Sequence, residues 1–247
     1  MGATVARAVV DDSDLELAAA VDPAAVGEPV SGLAGVDSEV ITVGDLDGAG
    51  TFDVAVDFTV LDAARANLDW LADHGAHAVV GTTGFTDADI EHFRAAFTDS
   101  NCVIAPNFAI GAVLMMRFAA LAAPWFETAE VIELHHDEKR DAPSGTAMLT
   151  AQKMSEASGE WSPDPTETEV APGARGGVGP GGIPIHSIRL RGLVAHQETL
   201  LGTTGQSLSI RHDSYDRTSF MPGVLLAVKA VADRPGVTVG LDALLDL

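Results

Sequence analysis

At 247 residues the chain can bury a sizeable core, as one large α/β domain or two smaller lobes, and its 47% hydrophobic content marks it as folded. The formal charge of −22 repels phosphate, which argues against nucleic acid and anionic membranes as partners and obliges any small anionic ligand to find a local basic pocket. Cys102 is the one cysteine and lies in the apolar run CVIAP, so it reads as a packing residue and a reducing, cytoplasmic setting is expected. No apolar run approaches the ~20 residues needed to span a bilayer, and no signal core opens the chain, which reads as soluble and unexported.

From Ala3 to about Val10 the apolar spacing predicts a helix, and Leu15 to Val21 a strand ending at Asp22-Pro23, the second half of a βαβ unit. Phe52 to Thr59 is strand-like, Val60 to Gly75 an amphipathic helix ended by its glycine, and Ala76 to Gly84 a strand running into a turn of small residues. The helix DADIEHFRAAF and the strand NCVIAPN follow. This alternation predicts a Rossmann-type, doubly wound parallel sheet, whose ligands sit beyond the carboxyl ends of its strands. Those ends carry Asp22, Thr59, Gly81-Thr82-Thr83 and Ala105-Pro106-Asn107-Phe108.

After Asn107 the pattern changes. A long apolar helix, roughly Ile110 to Ala123, leads to the strand AEVIELHH, a charged turn and a helix from Gly145. Pro and Gly dominate from Ser162 to Pro184, as expected of a mobile loop over a site. Three strand-like runs, IHSIRLRG, AHQETLLGT and QSLSIRHDS, predict a second, α+β lobe on a mixed sheet. The apolar helix of DRTSFMPGVLLAVKAVADRPG returns to the first lobe. The expected organisation is a dinucleotide-binding domain over 1–106, completed by 217–247, and a second, substrate-binding domain over 107–216.

Asp22 stands where such folds place the acid that bonds the adenine ribose, which favours NADH slightly over NADPH, although an acid at a strand end is also an ordinary turn residue. The first strand and glycine-rich turn of a Rossmann lobe are missing, because Met1-Gly2 opens directly into a helix. Gly2 reads as the last glycine of that turn, and the natural chain is expected to start upstream.

The stretch HHDEKRDAPSGTA, from His135, concentrates chemistry. Strand alternation puts Val131, Glu133 and His135 on one face and Ile132, Leu134 and His136 on the other. His135 suits proton exchange near neutrality, and Lys139, one of only three lysines, suits proton donation or anion binding. Ser144 is a helix N-cap, and Gly145 and Thr146 follow it, so open N–H groups and hydroxyls form a cradle for a carboxylate or phosphate. A structural histidine pair and an ordinary capped helix fit the same residues. No third ligand at zinc spacing is evident, so no metal is expected.

Together these residues resemble the 4-hydroxy-tetrahydrodipicolinate reductase family of lysine biosynthesis, most like its actinobacterial members. The resemblance is carried by ELHHDEKRDAPSGTA, VVGTTGF, APNFAIGAVL, GLVAHQE and RHDSYDRTSFMPGVLLAV, and so covers nearly the whole chain. It implies that His135 is the general acid/base, that Lys139 is a second proton donor or carboxylate partner, and that His136, Ser144, Gly145 and Thr146 bind the carboxylates of a cyclic dicarboxylate. It implies further that Met1, Asp22, Gly81, Thr82, Thr83, Ala105, Pro106, Asn107 and Phe108 contact NADH or NADPH, and that the chain forms a homotetramer. A different two-domain dehydrogenase, or a cofactor-sensing homologue, would share the first lobe without needing this charged turn.

Overall fold

The structure, a computed structural model, describes residues 1–245 and divides the chain into two compact units. One comprises Met1–Ala109 and the chain from Arg217 onward; the other is Ile110–Asp216. The first unit begins with α1 (Gly2–Asp11) and α2 (Val30–Ala34), then alternates β1 (Val54–Asp57), α3 (Leu61–Asp73), β2 (His77–Val80), α4 (Asp87–Ala96) and β3 (Cys102–Ile104). The second unit holds α5 (Ile110–Ala122), β4 (Thr128–His135), α6 (Gly145–Ala157), β5 (Gly177–Val178), β6 (Pro184–Arg189), β7 (Ala195–Thr203) and β8 (Gln206–Ser214). The chain then returns to the first unit with α7 (Met221–Ala230) and β9 (Val237–Val239).

In the first unit all strand pairs are parallel, in the order β1-β2-β3-β9. Helices α3 and α4 bury Leu68, Leu71 and Phe93 against Ala78, Val80, Cys102 and Ile104, the packing that leaves a parallel sheet covered by its crossover helices. Local signals set the boundaries. Thr86 and Asp89 form a reciprocal capping box at the start of α4, and Gly75 takes the left-handed conformation (φ 65°) just past α3. The second unit's sheet is mixed, in the order β5-β6-β4-β7-β8, with β4 parallel to β6 and antiparallel to β7. One face, through Val131, Ile185 and Leu201, packs on Ala119, Ala147, Ala151 and Met154 of α5 and α6.

Three sequence expectations are corrected. Leu15–Val21 is not a regular strand: a single bridge joins Val21 to Val43, with Val43 N–H donating to Ala20 and Asp22 N–H to Val43, because no longer neighbour among the described residues supplies a ladder. The terminal apolar segment yields only ten residues of α-helix, flanked by 3₁₀ turns, and Pro222 lies in its first turn. Beyond it β9 adds a fourth parallel strand that its short, weakly patterned sequence did not announce. The Gly/Pro segment is anchored through Arg175, which bonds Glu130 and Asp164, and Glu130 also takes His186 at 2.7 Å. By strand alternation Glu130 lies on the face of β4 opposite Glu133, so this anchor is not on the His135 face.

Candidate active site

β4 stays regular through His135, so Glu133 and His135 project to the same side, and Glu133 is wholly buried. Its Oε2 meets His135 Nδ1 at 2.5 Å and accepts from Arg189 Nη1 at 2.9 Å. Its Oε1 accepts from Arg189 Nη2 at 2.8 Å and from the Ser144 main-chain N–H at 3.2 Å. Arg189 arrives from β6, where the parallel register sets it beside His135. Burial pushes the Glu133 carboxyl up, but its Arg189, Ser187 and His135 donors prevail and hold it below its ordinary value. His135 is lowered, first by burial and then by Lys139 and Arg189, against the upward pull of Glu133. An ionised carboxylate facing a neutral imidazole requires the proton on Nδ1, which leaves Nε2 with its lone pair and no partner among the described residues.

Beyond His135 the chain turns, with Lys139 N–H reaching His136 C=O, and Lys139 Nζ sits 2.8 Å from both oxygens of Asp141. Ser144 is extended and caps α6, its Oγ accepting from Ala147 N–H at 3.2 Å. A Cβ built on Gly145 meets nothing within 4 Å, so the first turn of α6 has open space on that side. Below it Thr150 Oγ1 donates to Thr146 C=O and accepts from the buried Gln197. His136 is exposed, and its ring has no partner among the described residues.

At the carboxyl end of the first unit's sheet the organiser is Asp57. Its Oδ1 accepts from Thr59 N–H, Thr59 Oγ1 and Thr82 Oγ1, and its Oδ2 from Asn67. Thr82 is therefore buried with its hydroxyl committed, and the Thr82 and Thr83 amides donate to nothing among the described residues. Gly81 lies flush against Phe58: a Cβ there would come 2.0 Å from the ring. Ala105 is buried, Asn107 Oδ1 accepts from Ala109 N–H, and Phe108 is buried against Phe58, so only its main chain is open to a ligand. Asp22 is exposed, one oxygen in a turn with Ala24 N–H, and Met1 is the N-cap of α1. The free amides, the side-chain-less Gly81 and the open Asp22 oxygen suit a dinucleotide's polar groups.

Two family models, Dihydrodipicolinate reductase, N-terminus and C-terminus, match residues 1–108 and 111–245. This chain belongs to the dihydrodipicolinate reductase family. It is 50% identical to the 4-hydroxy-tetrahydrodipicolinate reductases of Mycobacterium marinum and Mycobacterium ulcerans, across 100% of its own length and 95% of theirs. Among solved structures it resembles the dipicolinate-bound dihydrodipicolinate reductase from Paenisporosarcina sp. TG-14, with a TM-score of 0.84 and 39% identity over 97% of this chain and 93% of that one. An amine dehydrogenase from Mycobacterium smegmatis, at 14% identity and a TM-score of 0.62 over 98% and 93% of the two chains, shares the fold alone. Dihydrodipicolinate reductases are NAD(P)H-dependent oxidoreductases of lysine biosynthesis, and both sheets described above are those of the family.

Of the residues singled out in the sequence, the structure ties His135 and Ser144 to one carboxylate and sets Gly145 and Thr146 in the turn that Ser144 caps. Lys139 is engaged by Asp141, and His136 lies past the end of the strand. Glu133, Arg189 and Asp57 were not singled out. Glu133 was legible only as a neighbour of His135 on one strand face, and Arg189 required the register. Among the described residues no group of three His, Cys, Asp or Glu is placed to hold a metal ion, and no helix is long and apolar enough to cross a membrane.

Proposed function

We propose that the chain reduces 4-hydroxy-tetrahydrodipicolinate to tetrahydrodipicolinate with NAD(P)H, with His135 as proton donor and Lys139 as its partner. The observation that carries this assignment is the His135 ring held through Nδ1, with Nε2 unpartnered, on the same carboxylate that binds the Ser144 N–H. The substrate is a cyclic dicarboxylate that loses water to a conjugated imine. When bound, NAD(P)H would supply a hydride to that system, and the resulting electron density would need a proton at the neighbouring ring carbon. His135 delivers it from Nε2, having taken it up as the substrate's negative charge raises its proton affinity. Lys139, released from Asp141, and the amino terminus of α6, with Ser144, Gly145 and Thr146, hold the carboxylates, and His136 adds a further donor. The solved relative that binds dipicolinate, a planar dicarboxylate, supports this choice.

On this reading the first unit is the dinucleotide-binding domain, with the Thr82 and Thr83 amides and the main chain at Ala105 to Phe108 as cofactor contacts. Met1, at the head of α1, would lie beside the pyrophosphate. The open oxygen of Asp22 bonds the adenine ribose and disfavours a 2′-phosphate, giving NADH a slight advantage. The second unit is the substrate and assembly domain: Ile188 is 40% and Leu190 58% exposed at the end of β6, the partly apolar surface expected of an interface in a homotetramer. The lone buried Cys102 suits a reducing cytoplasm. The test is oxidation of NADH and NADPH by the purified chain with freshly generated substrate. Turnover faster with NADH is expected; no oxidation, or oxidation only with a semialdehyde, overturns the assignment.

A further inference from the structure

A proton-transfer histidine has to be held in one tautomer and one orientation. We infer that Glu133 is the positioning residue of the reaction, acting through His135 and fixing it against the amino terminus of α6. The inference rests on the proposed function of His135.

The geometry exceeds what an ion pair needs. A wholly buried carboxylate is costly unless neutralised and hydrogen-bonded, and the two-pronged contact with Arg189 already meets that need. Yet Oε2 is shared with the His135 ring at 2.5 Å and Oε1 with the peptide N–H of the α6 cap. Three segments, the end of β4, the cap of α6 and the end of β6 some way along the chain, meet on one side chain. A shift of the helix relative to the histidine would break one oxygen's contacts or the other's. Arg189 also donates to Asp141 C=O at 2.7 Å, which extends the same network to the turn bearing Lys139.

The charged groups facing His135 are Glu133 on its own strand, Arg189 from β6 and Lys139 from the turn, with Asp141 behind Lys139; β7 presents Ala195 opposite it. Glu133 alone favours the protonated ring. Without it, burial and two cations act unopposed, and the ring should take its proton only at lower pH. A purely structural role as counter-ion to Arg189 would lower stability but leave tautomer and pH profile alone.

The experiment has two arms. In the wild-type chain with ¹⁵N-labelled histidine, and with His135→Gln to assign the signal, the neutral His135 ring should show a protonated Nδ1 and a bare Nε2, measured without substrate. In Glu133→Gln, kcat should fall about 100-fold, by more than KM rises, and the alkaline limb of the kcat/KM profile, where the donor loses its proton, should move to lower pH. Glu133→Asp, which keeps the charge on a shorter arm, should recover part of the rate. A neutral wild-type ring protonated on Nε2, or a folded Glu133→Gln with the wild-type kcat and pH limb, overturns the inference. The tautomer decides the matter if Glu133→Gln does not fold. Failure of the wild-type enzyme to reduce the substrate would instead overturn the proposed function.

Discussion

Asp57 and Glu133 are two buried carboxylates at the ends of two sheets, and they organise their surroundings by different means. Asp57 is satisfied by neutral donors, Thr59, Thr82 and Asn67, and what it fixes is a stretch of main chain whose amides remain open. Glu133 is satisfied by a guanidinium, an imidazole and a peptide N–H, and what it fixes is the side chain proposed to exchange a proton. Neutral partners give rigidity without titration, as a site that cradles a cofactor needs. Ionisable partners give rigidity together with a tuned proton affinity, as a site that completes a reduction needs.

The largest expected effect breaks the second region and spares the first. His135→Gln should lower kcat by about 1,000-fold and Lys139→Ala by about 100-fold, in the range of a lost general acid. NADH affinity, followed by quenching of protein fluorescence, should be unchanged in both. Loss of cofactor affinity on the same scale as loss of kcat would mean that the two regions do not divide the work in this way.

Gly81→Ala attacks the first region. The new Cβ would enter the Phe58 ring, so about 2 kcal/mol of stability should be lost, visible in denaturant titration, and the Gly81-Thr82-Thr83 turn should shift with it. Gly81→Ala combined with Phe58→Leu should recover part of both, because the ring is the obstruction. Asp57→Asn is milder: it keeps the shape but turns an acceptor into a donor facing Asn67 or Thr82, and cofactor affinity should weaken about tenfold with kcat at saturation almost unchanged.

How much of each region was legible in the sequence follows from how local its contacts are. The elements from β1 to β3 announced themselves by hydrophobic period and by Gly75, and the turn Gly81-Thr82-Thr83 followed from its place after β2. His135, Lys139 and Ser144 fall within ten positions and could be read together. Arg189 lies 56 residues from Glu133, and only the β4/β6 register joins them, which side-chain alternation cannot supply. Leu15–Val21 has strand-like residues, yet it makes only the single bridge from Val21 to Val43, and a strand needs a pairing that its own pattern does not specify. β9, three residues long, offers too few positions for any period to show.

The smallest expected effect is in stability against pH, and it separates the two kinds of carboxylate partner. Burial lowers both His135 and His212 below the ordinary histidine value of 6.5, so the unfolded chain binds protons that the folded chain refuses. Their contribution is fully present above pH 6.5 and is lost as pH falls through that value toward the folded ones. Glu133 and Glu130 are lowered in spite of burial, by Arg189 and by Arg175 respectively, so their contribution is present above 4.5 and is lost only as pH falls further. The melting temperature, at constant ionic strength, should therefore decline in two stages between about pH 8 and about pH 3. His135→Gln should shrink the first stage to the share of His212 and leave the second. A profile level down to the carboxylate range would show that His135 is not held neutral, and with it would go the contrast between a neutral-donor site and a titrating one.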